Sequence, residues 1–233
     1  MNTLVIDTAT AVEIVGITAG TVAVDRSRPV DRSHSATIFT SIEAGMREAG
    51  IAPGDLELLG VGVGPGSFTG VRIAVATARM LAQALSLPLI GVPSPLIHAA
   101  AIDAASGSNI LIAFDAKKER VFGALYVVAG DGSLDEIVAP GDYPIGTLIE
   151  GVDRAAPVHL AGDGIGPYWD RGLSSLANAH HHERFVPSGV RACELVRGIY
   201  ARANGGPFPY ERVVPHYARK SDAEILRDAT QRG

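Results

Sequence analysis

The chain opens on short apolar runs separated by small polar turns. Thr3–Asp7 and Glu13–Ile17 read as strands joined through Thr8-Ala9-Thr10, and Thr21–Asp25 follows as a third after Ala19-Gly20. This spacing predicts an antiparallel meander. The period then changes. From Ser33 to Glu48 apolar side chains recur at Ile38, Phe39, Ile42 and Met46, continue to Ala49, and stop at Gly50 and Pro53, which predicts a helix. Leu58–Val63 returns to strand and runs into Gly64-Pro65-Gly66-Ser67-Phe68-Thr69-Gly70. A helix over Val71–Leu85 and a strand over Leu89–Val92 complete a βαβ unit.

A stretch rich in Ala, Ser and Gly, Asp103 to Asn109, marks a lobe boundary, so residues 1–105 and 106–233 are read as two α/β lobes. A second cycle begins there. Ile110–Asp115 and Val121–Val127 form a hairpin like the first one, with Asp115 and Gly123 in the places of Asp7 and Gly16. Two apolar strands ending in Asp arise by duplication or by coincidence, and these residues leave both open. Pro157–Ala161 is a further strand before the Gly162-Asp163-Gly164 turn. Leu173–Phe185 has no clear period, Val190–Ala203 is a helix with Ser188 as N-cap, and the tail after Pro215 carries no pattern.

The helix Val71–Leu85 is apolar almost all round, with Arg72, Thr77, Arg79 and Gln83 its main polar positions. Such a helix is wholly internal, or it is covered by its own sheet on one side and a partner on the other. With few helices available to cover it, partner burial is expected, together with the Ile38/Ile42/Met46 helix. Ile38, Ile42, Met46, Val71, Ala74, Val75 and Ala78 are the expected interface residues.

Composition narrows the function classes. An apolar fraction of 47% supports a packed core, and a net charge of −5 without charged blocks excludes a chain that grips a phosphodiester backbone by itself. The single cysteine, Cys193, fits a reducing compartment and reads as core. The start MNTLVIDTAT lacks the basic, then apolar, pattern of a secretory signal, and Pro88, Pro93 and Pro95 break the uncharged run Met80–Ile102, so a cytoplasmic protein without a membrane span is expected.

Candidate chemistry is sparse. The loop Gly64–Gly70 lies between strand and helix, where backbone amides favour an anion, yet it lacks Gly-Lys-Ser/Thr and does not fit G-x-G-x-x-G or G-x-S-x-G. Asp7 and Thr8 at a hairpin tip, with Ser67 and Thr69, are the candidate nucleotide-binding residues. The facing tip, Asp115-Ala-Lys-Lys-Glu-Arg120, has no glycine and bulky charges where a phosphate needs close backbone approach. No catalytic residue and no metal site is predicted. His180-His181-His182 reads as a solvated loop, His34 as surface or cap, and His98 has Ser94 and Ile102 at helical spacing instead of a second ligand.

These residues resemble a known family. Ile6-Asp7-Thr8-Ala9-Thr10, His34-Ser35, Gly64-Pro-Gly-Ser-Phe-Thr-Gly-Val-Arg-Ile73, Pro88-Leu-Ile-Gly-Val92 and Asp115-Ala-Lys-Lys-Glu119 are similar to the bacterial TsaB (YeaZ) family of the actin-like ATPase superfamily. The resemblance is specific over Val61–Val92, patchy after about Val127, and returns in Pro215–Arg219. It implies a two-lobed actin-like (ASKHA) fold with mixed sheets flanked by helices. It also implies a non-catalytic subunit that supports TsaD in placing threonylcarbamoyl on the tRNA adenosine beside the anticodon. TsaD, TsaE and a second copy are the implied partners, packing on the first-lobe helices; tRNA is met only through the complex. No cofactor is expected to be held firmly by this chain alone, with ATP or ADP entering only in the complex. TsaD-like proteins carry His-x-x-x-His where this chain has Ser94 and His98. The competing reading is a stand-alone actin-like ATPase or kinase, or a metallopeptidase-like enzyme.

Overall fold

A computed structural model describes residues 1–30 and 34–219. The first sheet contains β1 (Thr3–Asp7), β2 (Val12–Ala19), β3 (Val22–Asp25), the short β4 (Arg28–Pro29), β5 (Leu58–Gly62) and β6 (Leu89–Val92), in the order β3-β2-β1-β5-β6 with β4 paired to β2. β1 and β2 are antiparallel with Val5 opposite Gly16, whereas β5 runs parallel to β1 and β6 parallel to β5. The predicted meander and βαβ unit are both present.

The second sheet contains β7 (Asn109–Asp115), β8 (Val121–Val128), β9 (Leu134–Tyr143), β10 (Val158–Ala161) and β11 (Ala179–His181), in the order β11-β10-β7-β8-β9. β7, β8 and β9 are antiparallel neighbours, and β10 and β11 are added in parallel on the other side. Each sheet is therefore an antiparallel meander extended by two parallel strands in the same order. The repeat that two similar hairpins left open is present in the topology.

Among the described residues five α-helices pack on these sheets. They are α1 (His34–Ala49), α2 (Phe68–Leu85), α3 (Ser94–Ala100), α4 (Ile145–Glu150) and α5 (Gly189–Arg202). α1 and α2 cover one face of the first sheet, where Ile38, Ile42, Val71 and Ala74 meet Leu4, Ile6 and Val61. On its other face Val5, Ile14, Leu58 and Ile90 pack against Ala192, Cys193 and Val196 of α5 and Ile97 of α3. α3 also reaches the second sheet, whose far face is covered by Leu148 and Ile149 of α4.

This placement of α5 revises the division at 105/106. The two sheets respect that boundary, but α5 from the second half closes the first-half core. Gly16 and Gly189 permit the approach: a Cβ on Gly16 would stand 1.9 Å from the Gly189 carbonyl oxygen. Cys193 is buried in this contact, as expected for a core thiol.

Local starts and stops differ from the sequence reading where caps intervene. α2 begins at Phe68, three residues early, because the Ser67 hydroxyl accepts the Gly70 amide at 3.3 Å. Ser33, the expected start of the first helix, lies outside the described residues. Among the described residues no helix is long and apolar enough to cross a membrane.

Candidate functional site, the cleft between the lobes and the outer helices

Asp7 ends β1 and the Thr8-Ala9-Thr10 turn leads into β2, so this tip faces the second lobe. The glycine-rich loop is fastened to it. Thr8 Oγ1 donates to the Gly70 carbonyl at 2.7 Å, and the Ser67 amide donates to the Ala9 carbonyl at 2.7 Å. Neither glycine tolerates a side chain here, since a Cβ on Gly70 would lie 1.9 Å from the Thr8 oxygen and one on Gly66 2.4 Å from that of Ala9. The Ser67 amide is thus occupied within the chain, and the close packing of loop on turn accounts for these two glycines without a bound anion.

Asp7 itself lies beneath this surface. Its Oδ1 accepts the Ala9 amide at 2.8 Å, while Oδ2 is buried without a hydrogen-bond partner among the described residues. Burial pushes the carboxyl up to about 6, against the opposing pull of the Ser94 hydroxyl first, then of the Ala9 amide and the nearby His34. Gly62 provides the room, because a Cβ there would be 2.1 Å from the Asp7 carboxyl carbon.

The cleft of about 510 Å³ between the lobes is lined from the first lobe by Thr10, His34, Ser67 and Phe68, and from the second by Asp115 and Lys117. Of the four candidate nucleotide residues only Ser67 reaches this lining. Asp7 and Thr8 are buried under it and Thr69 is exposed outside it. The facing tip is held in an unusual shape, with Lys117, Lys118 and Glu119 all at positive φ (59°, 53° and 61°). There Asp115 accepts from the Lys117 amide at 2.8 Å and from the Tyr168 hydroxyl at 3.1 Å. Burial raises the Asp115 carboxyl, but hydrogen bonds and charge from Lys117 outweigh it and hold the group below its ordinary value.

His34 is not the surface or capping residue expected. Its Nε2 donates to the Thr10 carbonyl at 2.7 Å and its Nδ1 faces Glu13 Oε2 at 3.8 Å. Glu13, fully buried in β2, accepts from the Ser41 hydroxyl at 2.6 Å and from that of Thr37, and pairs in charge with Arg28 at 3.7 Å. Burial alone would raise Glu13, yet its partners hold it below the ordinary carboxylate range and in turn raise His34. Sequence reasoning missed this group; the signal was a glutamate between Val12 and Ile14 in an apolar strand.

The tail from Val214 was also missed. The His216 amide donates to Val63 at 2.7 Å, and the Tyr217 hydroxyl accepts from Arg72 Nε at 2.7 Å on the first lobe. Two residues on, Arg219 holds Asp142 through Nε at 2.7 Å and a terminal nitrogen at 3.0 Å on the second. Residues 216–219 therefore strap the lobes together along the cleft.

The seven expected interface residues need a correction. Ile38, Ile42, Met46, Val71, Ala74, Val75 and Ala78 are all buried in the chain's own core beneath α1 and α2. Amphipathic helices place their most regular apolar stripe inward, and a side chain already out of water has little area left to offer a partner. What these helices leave outside is a second stripe, with Phe39 51% and Met80 49% exposed and Ala76 and Ala84 also exposed. Leu81 and Leu85 border the groove of about 480 Å³ between the two helices.

His98 on α3 is buried edge-on to Phe114 at 4.6 Å, with Nδ1 unpartnered among the described residues. Burial depresses it to about 3, so it is a neutral imidazole. Ser94, one turn earlier, accepts the Gly64 amide at 3.1 Å and serves the loop.

Residues 28–151 match the family model described as TsaD, tRNA N6-adenosine threonylcarbamoyltransferase. The tRNA threonylcarbamoyladenosine biosynthesis protein TsaB of Bacillus subtilis is 32% identical over 64% of this chain and 65% of its own length. In structure, YeaZ from Pseudomonas aeruginosa superposes with a TM-score of 0.79 at 25% identity, covering 93% of this chain and 99% of that one. The chain belongs to the TsaB (YeaZ) family. An uncharacterized protein of Mycobacterium tuberculosis is similar along nearly the whole chain, 34% identical over 97% of this chain and 96% of its own length. The actin-like fold expected of a TsaB-family chain is the one observed.

Proposed function

We propose that this chain serves threonylcarbamoyladenosine synthesis in tRNA as a supporting subunit, docked on a TsaD-type transferase and not acting as the transferase itself. The observation that carries this reading is the apolar stripe left uncovered on α1 and α2, with Phe39 and Met80 half exposed on helices whose inner faces are already packed. A paralogue with the same two-helix face is a complementary occupant, because small Ala76 and Ala84 permit close helix approach. The same stripe serves a second copy of the chain, so homodimer and heterodimer compete. TsaE joins as a third component in this reading, and ATP or ADP belongs to the assembled complex.

Support for a non-catalytic role comes from the cleft. His98 is neutral and enclosed by aromatic rings, Ser94 is committed to the Gly64 amide, and the amide at Ser67 is occupied by Ala9. Purified chain is mixed with TsaD, TsaE and tRNA, and modified adenosine is quantified with and without it. Met80→Glu, alone and with Phe39→Glu, is expected to abolish co-elution with TsaD and the stimulation of modification while leaving the fold intact. Full stimulation by the folded double variant rejects this docking face, whereas threonylcarbamoyl transfer by the chain without TsaD rejects the supporting role.

A further inference from the structure

Arg72 lies on the same row of α2 as the uncovered stripe, one turn before Ala76 and two before Met80, so the apolar face ends at its N-terminal side in an exposed cation. The side chain is exposed but held. Its Nε donates to the Tyr217 hydroxyl at 2.7 Å, and the centre of the guanidinium stands 3.9 Å from the centroid of the Phe68 ring. Tyr217 in turn packs on Phe68 with ring centroids 4.9 Å apart, and the strap fixes it from both sides through the His216 amide on Val63 and Arg219 on Asp142.

These contacts leave most of the guanidinium unspent. Among the described residues no carboxylate pairs with Arg72, and its two terminal nitrogens have no hydrogen-bond partner. They carry their N–H groups in a plane set by Phe68 and Tyr217, and that edge matches both oxygens of one carboxylate. A free arginine gives up rotamer entropy when it is captured; this one is already ordered, so pairing costs it less. Resting on the supporting-subunit reading, we propose that Arg72 is the charged anchor of the α1/α2 docking face and takes an Asp or Glu carboxylate of the TsaD-type partner in a two-pronged pair. Tyr217 acts as a positioning residue, its hydroxyl orienting the fork.

The same anchor separates the partner from a second copy of the chain. α2 contains no acidic residue, and the two acids of α1 are engaged within the chain, Glu43 with Arg47 at 2.8 Å and Glu48 with Arg26 at 3.3 Å. Two copies meeting through these helices set Arg72 against a face without an uncommitted carboxylate. A paralogue with an acid at that position gains a charge-assisted pair, and the pair fixes the register in which the apolar stripes meet. The stripe therefore supplies contact area to either occupant, and Arg72 selects between them.

The test titrates the whole chain with TsaD in a calorimeter at low and high salt, with Met80→Glu as the control for the face itself and circular dichroism as the control for folding. Arg72→Gln is expected to weaken TsaD binding by about tenfold or more and to flatten its salt dependence. Arg72→Lys, a point charge without the fork, keeps only part of the affinity, and Arg72→Glu binds more weakly than Arg72→Gln because it sets two carboxylates face to face. Tyr217→Phe keeps the ring but releases the guanidinium, and is expected to lose about threefold in affinity with the salt dependence retained. Self-association of Arg72→Gln, followed by sedimentation velocity, stays at the parent level. Parental TsaD affinity in Arg72→Gln overturns the anchor, as does Arg72→Glu binding no more weakly than Arg72→Gln, or a loss of self-association equal to the loss of TsaD binding. Where Met80→Glu abolishes binding and Arg72→Gln does not, the docking face stands and the anchor alone falls; where Met80→Glu binds like the parent, the face falls with it.

Discussion

The buried carboxyl of Asp7 gives the most direct test of the packing under the cleft. Its ordinary value of 3.8 is raised to about 6 in the fold, so between these values the folded chain binds more protons than the unfolded one. Stability then falls as pH rises across that window. The contribution is absent below about pH 3.8 and fully developed, as a cost, above about 6. At 1.36 kcal/mol per unit the cost approaches about 3 kcal/mol near neutrality, a magnitude retained without discount because the side chain is 1% exposed. Asp7→Asn keeps the shape and an oxygen for the Ala9 amide but removes the titration. Equilibrium urea unfolding of both proteins at pH 4, 5, 6 and 7.5 gives the difference directly. The stability of Asp7→Asn relative to the parent is expected to climb by roughly 2–3 kcal/mol between pH 4 and 7.5. Any fixed penalty from the new amide displaces this curve without tilting it. A difference that stays flat with pH means that Asp7 ionises freely in the fold, and the account of its burial is wrong.

His98 works in the opposite direction: depressed from 6.5 to about 3, it contributes stability above pH 6.5 that is lost as pH falls, roughly 5 kcal/mol in full. His98→Leu is expected to flatten that acid limb in the same unfolding series; an unchanged slope contradicts the neutral, enclosed ring. Gly16→Ala places a methyl on the Gly189 backbone and is expected to cost about 3 kcal/mol or more, read as a drop in urea midpoint, with amide exchange accelerated in α5. Protection of α5 at the parent level speaks against the two-glycine contact. Arg219→Ala removes both bonds to Asp142 and is expected to cost about 1–2 kcal/mol, with faster exchange across the cleft; a midpoint identical to the parent means the strap carries no load.

The elements of the first lobe were legible because period and punctuation agreed. Alternating and continuous apolar runs gave β1, β2, β5 and β6, and Gly50, Pro53 and Pro88 marked where α1 and α2 stop. β11 was illegible because three histidines carry no hydrophobic period; it exists through pairing with β10, a tertiary contact. The return of α5 to the first sheet was hidden for a similar reason. No local signal in Val190–Ala203 says which sheet it meets, and only Gly16 opposite Gly189 does, a coincidence of two small residues far apart in the chain.

The outer helices show how a count of apolar positions selects residues that the chain's own core already occupies. Counting apolar positions finds α2 greasy on all sides and points to a partner, but it also draws the eye to the most regular stripe, Val71, Ala74, Val75 and Ala78. Those are the positions the chain needs for itself, and a charge introduced at Ala74 or Ala78 is a folding lesion, not a probe of docking. The informative residues interrupt the stripe. Phe39 and Met80 are large, apolar and half in water on helices that already have a full inner face, which packing of this chain alone does not explain. The same logic holds at the cleft, where Asp7 and Thr8 have the right chemistry for a nucleotide and the wrong depth. An expectation built on residue type therefore has to be weighed against the side chain's own contacts: Thr8 spends its hydroxyl on Gly70, and Ser67 its amide on Ala9, before any ligand arrives.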